Sequence, residues 1–149
     1  MNIDAINNLK LIGKNIEDLK VISAYCQDSL VAVKDIVFLK RNKNFVMMLN
    51  RFMWEDVEKG AFRQNKRIRC AIKFDEVLEV KSKKINQRIK NRILECLAIK
   101  CDESLNKNYK IKIFFSGGSV ITLIVEFIEV FMQDLGEAWN AKHFPKHKI

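Results

Sequence analysis

Histidine is missing from the first 142 residues; only His143 and His147 occur, on either side of the single proline, Pro145. The body of the chain therefore offers no imidazole as a general base or metal ligand. His-x3-His would chelate a metal on a helix, and Pro145 argues against a helix there. With five glycines and one proline, the chain is neither collagen-like nor a low-complexity linker. Gly117-Gly118 lacks the Lys-Ser/Thr of a phosphate loop and precedes a strand pattern, so it reads as a hairpin turn. No Gly-x-Ser-x-Gly occurs. No two cysteines stand two residues apart; Cys96 and Cys101 are five apart with no second pair, which points to packing rather than zinc. Long apolar runs are absent too. The strongest, Val120 to Val125, contains Thr122 and stops at Glu126, far short of the ~20 residues a spanning helix needs. No apolar leader follows a basic start, and Asp4 lies near the N-terminus, so the expectation is a cytoplasmic chain. There Cys26, Cys70, Cys96 and Cys101 would stay reduced.

What is present is a complete core pattern. A chain of 149 residues with 48% hydrophobic content suits one domain, burying roughly 68–70% of its unfolded surface. Residues 1–139 are expected to form one α+β domain and 140–149 a basic, flexible tail. The net charge of +9 is partly compositional, since Lys, Asn and Ile make up 51 of the 149 residues, the bias that A/T-rich codons favour. Clustering of charge is therefore more informative than its total.

Leu9 to Gly13 reads as a short strand. Asn15 is a good N-cap, with Glu17 and Asp18 in the first turn, and Ile16, Leu19, Ile22 and Cys26 make the stripe of the helix that follows. Leu30 to Val33 reads as a strand, and residues 36–50 as a hairpin turning at Arg41–Asn44. Ile68, Cys70, Ile72 and Phe74 alternate against charged residues, and Val77, Leu78 and Val80 continue after a bend. Ile93 to Ile99 is a further strand, although Leu94 and Leu97 also fit a helix. Tyr109 to Phe115 and Val120 to Val125 form a hairpin around Gly117-Gly118. Phe127, Ile128, Phe131, Met132 and Leu135 then fall at helical spacing, with Gly136 as a C-cap, predicting a C-terminal helix with the Phe131 face buried. The expected fold is a mostly antiparallel, bent sheet of about six to seven strands with one helix near each end of the chain. That element order is similar to the plan of pleckstrin-homology-like barrels.

Two clusters stand out as candidate sites. Arg63, Arg67 and Arg69, with Lys83, Lys84 and Arg88, carry most of a basic stretch, and residues 81–92 contain no acid. Alternation places Arg67, Arg69 and Lys73 on one sheet face; the sharp reading is a phosphate-bearing partner, the bland one a solvated face. Asn50, Arg51, Phe52 and Trp54 mix aromatics with charge at a strand end, which suits either a recognition surface or a strand tucking its rings into the core. No catalytic residues, cofactor or metal ligands are assigned, and Glu126 and Glu129 read as a wet helix face.

Leu9-Lys-Leu-Ile, Glu17-Asp-Leu, Gln27-Asp, Asn50-Arg-Phe-x-Trp-Glu, Leu97-Ala-Ile, Phe115-Ser-Gly-Gly, Val125-Glu and Asp134-Leu-Gly-x-Ala-Trp139 together resemble the alphaproteobacterial family catalogued as domain of unknown function 2948. The resemblance runs in order along nearly the whole chain and implies a small, one-domain, cytoplasmic bacterial protein. It implies no activity and carries no site residue across. The expectation is a non-catalytic binding or adaptor domain for a protein partner. A binder of nucleic acid or another anionic surface is the alternative, and a small enzyme whose polar groups converge only in three dimensions is a third.

Overall fold

The computed structural model describes residues 9–53, 66–103 and 107–140, the last four of these by their backbone alone. Among them run ten strands and one α-helix: β1 (Lys10–Gly13), α1 (Ile16–Cys26), β2 (Leu30–Ala32), β3 (Ile36–Leu39), β4 (Asn44–Phe52), β5 (Lys66–Phe74), β6 (Val77–Lys83), β7 (Ile93–Glu103), β8 (Tyr109–Phe115), β9 (Val120–Val125) and β10 (Val130–Asn140). All pairings are antiparallel, in the order β1-β10-β5-β4-β2-β7-β8-β9-β6, with β3 paired to β4 off this path.

Several local expectations hold. Asn15 caps α1 by accepting the Asp18 N–H at 2.8 Å, and Leu19, Ile22 and Cys26 are buried. β3 and β4 form the predicted hairpin, closed at Lys43, a left-handed residue at φ 58°. β8 and β9 turn at Gly117 and Gly118, both at positive φ. There a side chain would be strained.

The C-terminal helix is not found. Residues 130–140 are strand β10, lying between β1 and β5. Helical spacing and strand alternation both fit this segment. Val130, Met132 and Asp134 are the buried set, one face of a period-2 strand, while Phe131 lies beneath Lys73 Nζ at 4.9 Å from the ring centroid. The β-branched and aromatic content favours the strand once β1 and β5 offer edges to pair. Gly136, at φ 75°, sits where the β10–β5 register shifts, so it serves a bulge rather than a C-cap. The expected six to seven strands and two helices are thus ten strands and one helix among the described residues, and that helix is N-terminal. The pleckstrin-homology-like plan, which needs a C-terminal helix in the sheet's open end, does not apply.

The sheet folds on itself at one corner. β5 passes into β6 through Asp75-Glu76 while β10 and β9 pass alongside: Asp75 N–H donates to the Glu129 carbonyl at 2.9 Å, and Glu126 N–H to the Glu76 carbonyl at 3.0 Å. One two-stranded ribbon therefore crosses both halves of the sheet. The core lies between the halves, where Phe45, Ile72, Phe74, Ile111, Leu123 and Val130 are all at most 1% exposed. α1 covers one flank, tied to β7 by the Ile99 N–H to Ser23 Oγ bond of 2.8 Å. The tail from 141 onward lies outside the described residues.

Candidate binding site

Three regions bear on the candidate sites: a sealed charge pair, a junction of arginines, and a cleft between two strand edges.

The sealed pair is Arg51 and Asp134. Alternation on β4 points Arg51 inward with Met47 and Leu49, and both ionised side chains are fully buried. The contact is bidentate: Arg51 Nε donates to Asp134 Oδ1 at 2.7 Å and Nη2 to Oδ2 at 2.8 Å. Asp134 Oδ2 also accepts the Leu9 N–H at 2.8 Å, and the Asp134 N–H donates to the Leu9 carbonyl at 2.9 Å. The Tyr25 ring lies 5.6 Å from the guanidinium carbon. The pair thus ties the entry to β1, helix α1, β4 and β10 into one knot. Its neighbour Cys70 is pushed up from 9.0 to about 12, by burial first and the Asp134 charge second. Burial likewise raises Cys96 to about 12 and, less completely, Cys101 to about 11. The four thiols are unpaired. Protonated and mostly buried, they are poor nucleophiles at neutral pH.

The junction holds Arg67 and Arg69. They share the outer face of β5, as alternation requires. Arg67 is nevertheless only 4% exposed: it stacks 5.7 Å from Phe52, its partner across the sheet, and Nη1 donates to the Asp28 carbonyl (3.1 Å) and the Asn50 carbonyl (3.0 Å). Burial lowers its pKa, and Asp28 and Glu95 oppose that shift. Arg69 donates to Asn50 Oδ1 and Asp35 Oδ2, each at 3.2 Å. Arg69 is paired with Asp35, whereas Arg67 is held by two carbonyls through Nη1 and keeps Nη2 buried without a hydrogen-bond partner among the described residues.

The other predicted site residues divide. Lys83, Lys84 and Arg88 are exposed at the end of β6 and in the connection to β7. That connection is pinned where the Lys84 carbonyl accepts from Arg92 Nη1 (2.9 Å) and Ser119 Oγ (2.8 Å). Asn50 is half-buried and serves Arg69, while Arg51 and Phe52 are interior. Arg63 and Trp54 lie outside the described residues. The two expected clusters therefore interlock, through Arg67 on Phe52 and Arg69 on Asn50, and the exposed positive charge remains on the β6–β7 connection.

The cleft escaped the sequence reading. β3 pairs only with β4, and β6 only with β9, so each leaves its other edge without a strand among the described residues. The two edges meet near Lys43, whose carbonyl accepts the Val77 N–H at 2.8 Å. Beyond that point a cleft of about 150 Å³ lies between them, with Ile36 and Phe38 on one wall, Val80 and Ile85 on the other, and Phe45 and Ile121 among its deepest lining residues. Gln87 and Lys90 reach it from the β6–β7 connection. The segment 90–92 is held against the start of β3 by the Lys34 N–H to Lys90 carbonyl bond of 3.0 Å and the Val33 N–H to Arg92 carbonyl bond of 2.9 Å. The one available signal was the four-residue apolar run Ile36–Leu39 beside an acid-free basic segment. Two wider depressions beside α1, of about 350 and 370 Å³, share Ile16 and carry mixed charge.

Among the described residues no group of three or more His, Cys, Asp or Glu side chains is placed to hold a metal ion, and no helix is long and apolar enough to cross a membrane. Among the described residues the class this defines is an antiparallel sheet domain with one covering helix and unpaired outer edges at β1, β3 and β6. The sequence pattern of the DUF2948 family, proteins of unknown function, matches residues 9–147, and the chain belongs to that family. No curated protein matches the sequence.

Proposed function

We propose that this chain is a non-catalytic binding domain, acting in the cytoplasm as an adaptor, and that the cleft between β3 and β6 is where it binds. The observation that carries the reading is the meeting of two strand edges over a cleft of mixed lining, in which Phe38, Val80 and Ile85 stand with Ser82, Gln87 and Lys90. Free edges offer main-chain donors and acceptors to an added segment, and the pocket between them offers a place for a side chain. The titratable groups that come together inside the chain satisfy one another: Arg51 with Asp134, and Arg69 with Asp35. That favours binding over catalysis.

The test is a random dodecapeptide display selection against the purified chain, with amide chemical shifts locating the bound peptides. Binding peptides should shift residues 36–39 and 80–90. Ile36→Lys should weaken them at least about tenfold, and Gln87→Glu with Lys90→Glu, at surface positions that leave folding intact, should also change the affinity. Selection of no peptide, or shifts confined to the surroundings of α1, would overturn the reading.

The second reading, a nucleic-acid or other anionic surface binder, rests on Lys83, Lys84 and Arg88, which are exposed in a segment without acids. With Arg67 and Arg69 engaged internally, its footprint narrows to the β6–β7 connection. A steep fall in affinity for a duplex oligonucleotide with rising salt would support it.

A further inference from the structure

We infer that the occupant of the β3–β6 cleft is an extended, acidic segment of a partner protein, with one large apolar side chain as its anchor; this rests on the binding reading above. Three observations specify that chemistry.

The first is size. A space of about 150 Å³, walled by Ile36, Phe38, Val80 and Ile85 and also lined by Ser82, Gln87 and Lys90, takes one group the size of a benzene ring. It therefore suits a single Leu, Ile, Met or Phe anchor rather than a helix face, which would present several.

The second is the edge. β3 is Ile36–Leu39, with Val37 45% exposed and Leu39 46% exposed, and no charged residue within the strand. A strand edge without a charge, bulge or proline accepts another strand. β6 differs, since Lys81 and Lys83 guard it. In a chain of net charge +9 those lysines repel further copies of the same chain. They do not repel a segment of opposite charge.

The third is the rim. Lys34 precedes β3 and Lys40 and Arg41 follow it; across the cleft stand Lys83, Arg88 and Lys90, all exposed. The acids nearest in sequence are engaged: Asp35 accepts from Arg69 at 3.2 Å, and Glu79 pairs with Lys81 at 3.7 Å. Carboxylates flanking the anchor on both sides would meet cations at both ends of β3. Electrostatic complementarity of this kind selects partners and speeds encounter. The apolar part of the lining, Ile36, Phe38, Val80 and Ile85, distinguishes this partner from nucleic acid, for which the rim alone would suffice.

The experiment uses the same dodecapeptide selection, read for composition and for salt dependence. The enriched peptides should carry net negative charge around one central apolar residue. Their affinity should fall about tenfold between 0.05 and 0.5 M salt. Changing the anchor to Ala should cost at least about tenfold, and Lys83→Glu with Arg88→Glu should cost about as much while leaving the melting temperature unchanged. Neutral or basic peptides enriched at the same cleft would overturn the acidic partner and leave the cleft reading standing. Failure to enrich any peptide would remove both. A duplex oligonucleotide that displaces the peptides and binds more tightly at residues 83–90 would also overturn the inference and favour the nucleic-acid reading.

Discussion

Two regions of one sheet handle their charged side chains in opposite ways. At the β1–β10–β5–β4 side, Arg51 and Asp134 close the structure: two buried charges meet bidentately at 2.7 and 2.8 Å, and the same carboxylate holds the backbone at Leu9. At the β3–β6 side the edges touch once, at Lys43 and Val77, and then part over a cleft. The sealed side uses charge internally, where each group depends on its partner. The open side displays its charge to solvent, with Lys83, Lys84 and Arg88 exposed. The difference separates two uses of charge: the buried Arg51 is held by Asp134 within the fold, and Lys83, Lys84 and Arg88 face solvent, where the proposed binding would use them.

Breaking the sealed side should have the largest effect. Asp134→Ala leaves the Arg51 guanidinium charged and buried, which typically costs about 3–5 kcal/mol. Urea unfolding should show the midpoint falling accordingly, and Arg51→Met combined with Asp134→Leu should recover much of the loss, because an apolar replacement removes the unpaired charge. If the single variant unfolds at the wild-type midpoint, the knot is not what closes this side.

The junction should come next. Arg67→Ala removes the ring contact with Phe52 and two charge-assisted bonds to carbonyls, a loss of about 2–3 kcal/mol. Arg67 therefore belongs to folding, and a binding assay on such a variant needs a stability control beside it.

The buried thiols sharpen the comparison through pH. Cys96 is raised from 9.0 to about 12 by burial first, and then by Asp28. Its folded value lies above its unfolded value, so its contribution is fully present below pH 9 and is lost as pH rises through about 12. Between those limits each such thiol lowers stability by about 1.4 kcal/mol per pH unit. Unfolding free energies measured from pH 8 to 11 should fall less steeply for Cys96→Ala than for the wild type by about that slope. Equal slopes would mean that the thiol ionises in the folded state as it does in the unfolded one.

The open side should show the smallest effect on stability. Lys83→Ala with Arg88→Ala changes only exposed side chains and should stay within about 0.5 kcal/mol of wild type. A larger loss would place the β6–β7 connection in the fold rather than at its surface.

Much of this architecture is legible from residue spacing. The Asn15 cap, the Leu19–Ile22–Cys26 stripe, the β3–β4 hairpin and the Gly117-Gly118 turn follow local rules, and the structure keeps them. Non-local pairing decided the rest. Residues 130–135 satisfy both a helical and a strand period, and only the presence of β1 and β5 on either side selects the strand. In β7 a register shift between Cys96 and Ala98 breaks the alternation, moving burial from Leu94 and Cys96 to Ile99 and leaving Leu97 exposed, so the i, i+3 spacing of Leu94 and Leu97 does not mark a buried face. Arg51 finds Asp134 across 83 residues, and no spacing rule couples positions so far apart. The cleft is harder still to read, because it is formed by the strand that does not pair beside β3.

The most direct measurement is amide hydrogen exchange of the free chain and of the chain saturated with a selected acidic dodecapeptide. In the free chain, amides on the outer edges of β3 (36–39) and β6 (78–83) should exchange fast, and those of β4, β5 and β10 slowly, since these three strands lie between paired strands. With peptide bound, outer-edge amides of 36–39 and 78–83 should slow at least about tenfold, while those of β4, β5 and β10 stay as they were. Edges that are already protected in the free chain, or protection that appears beside α1 instead, would contradict the account.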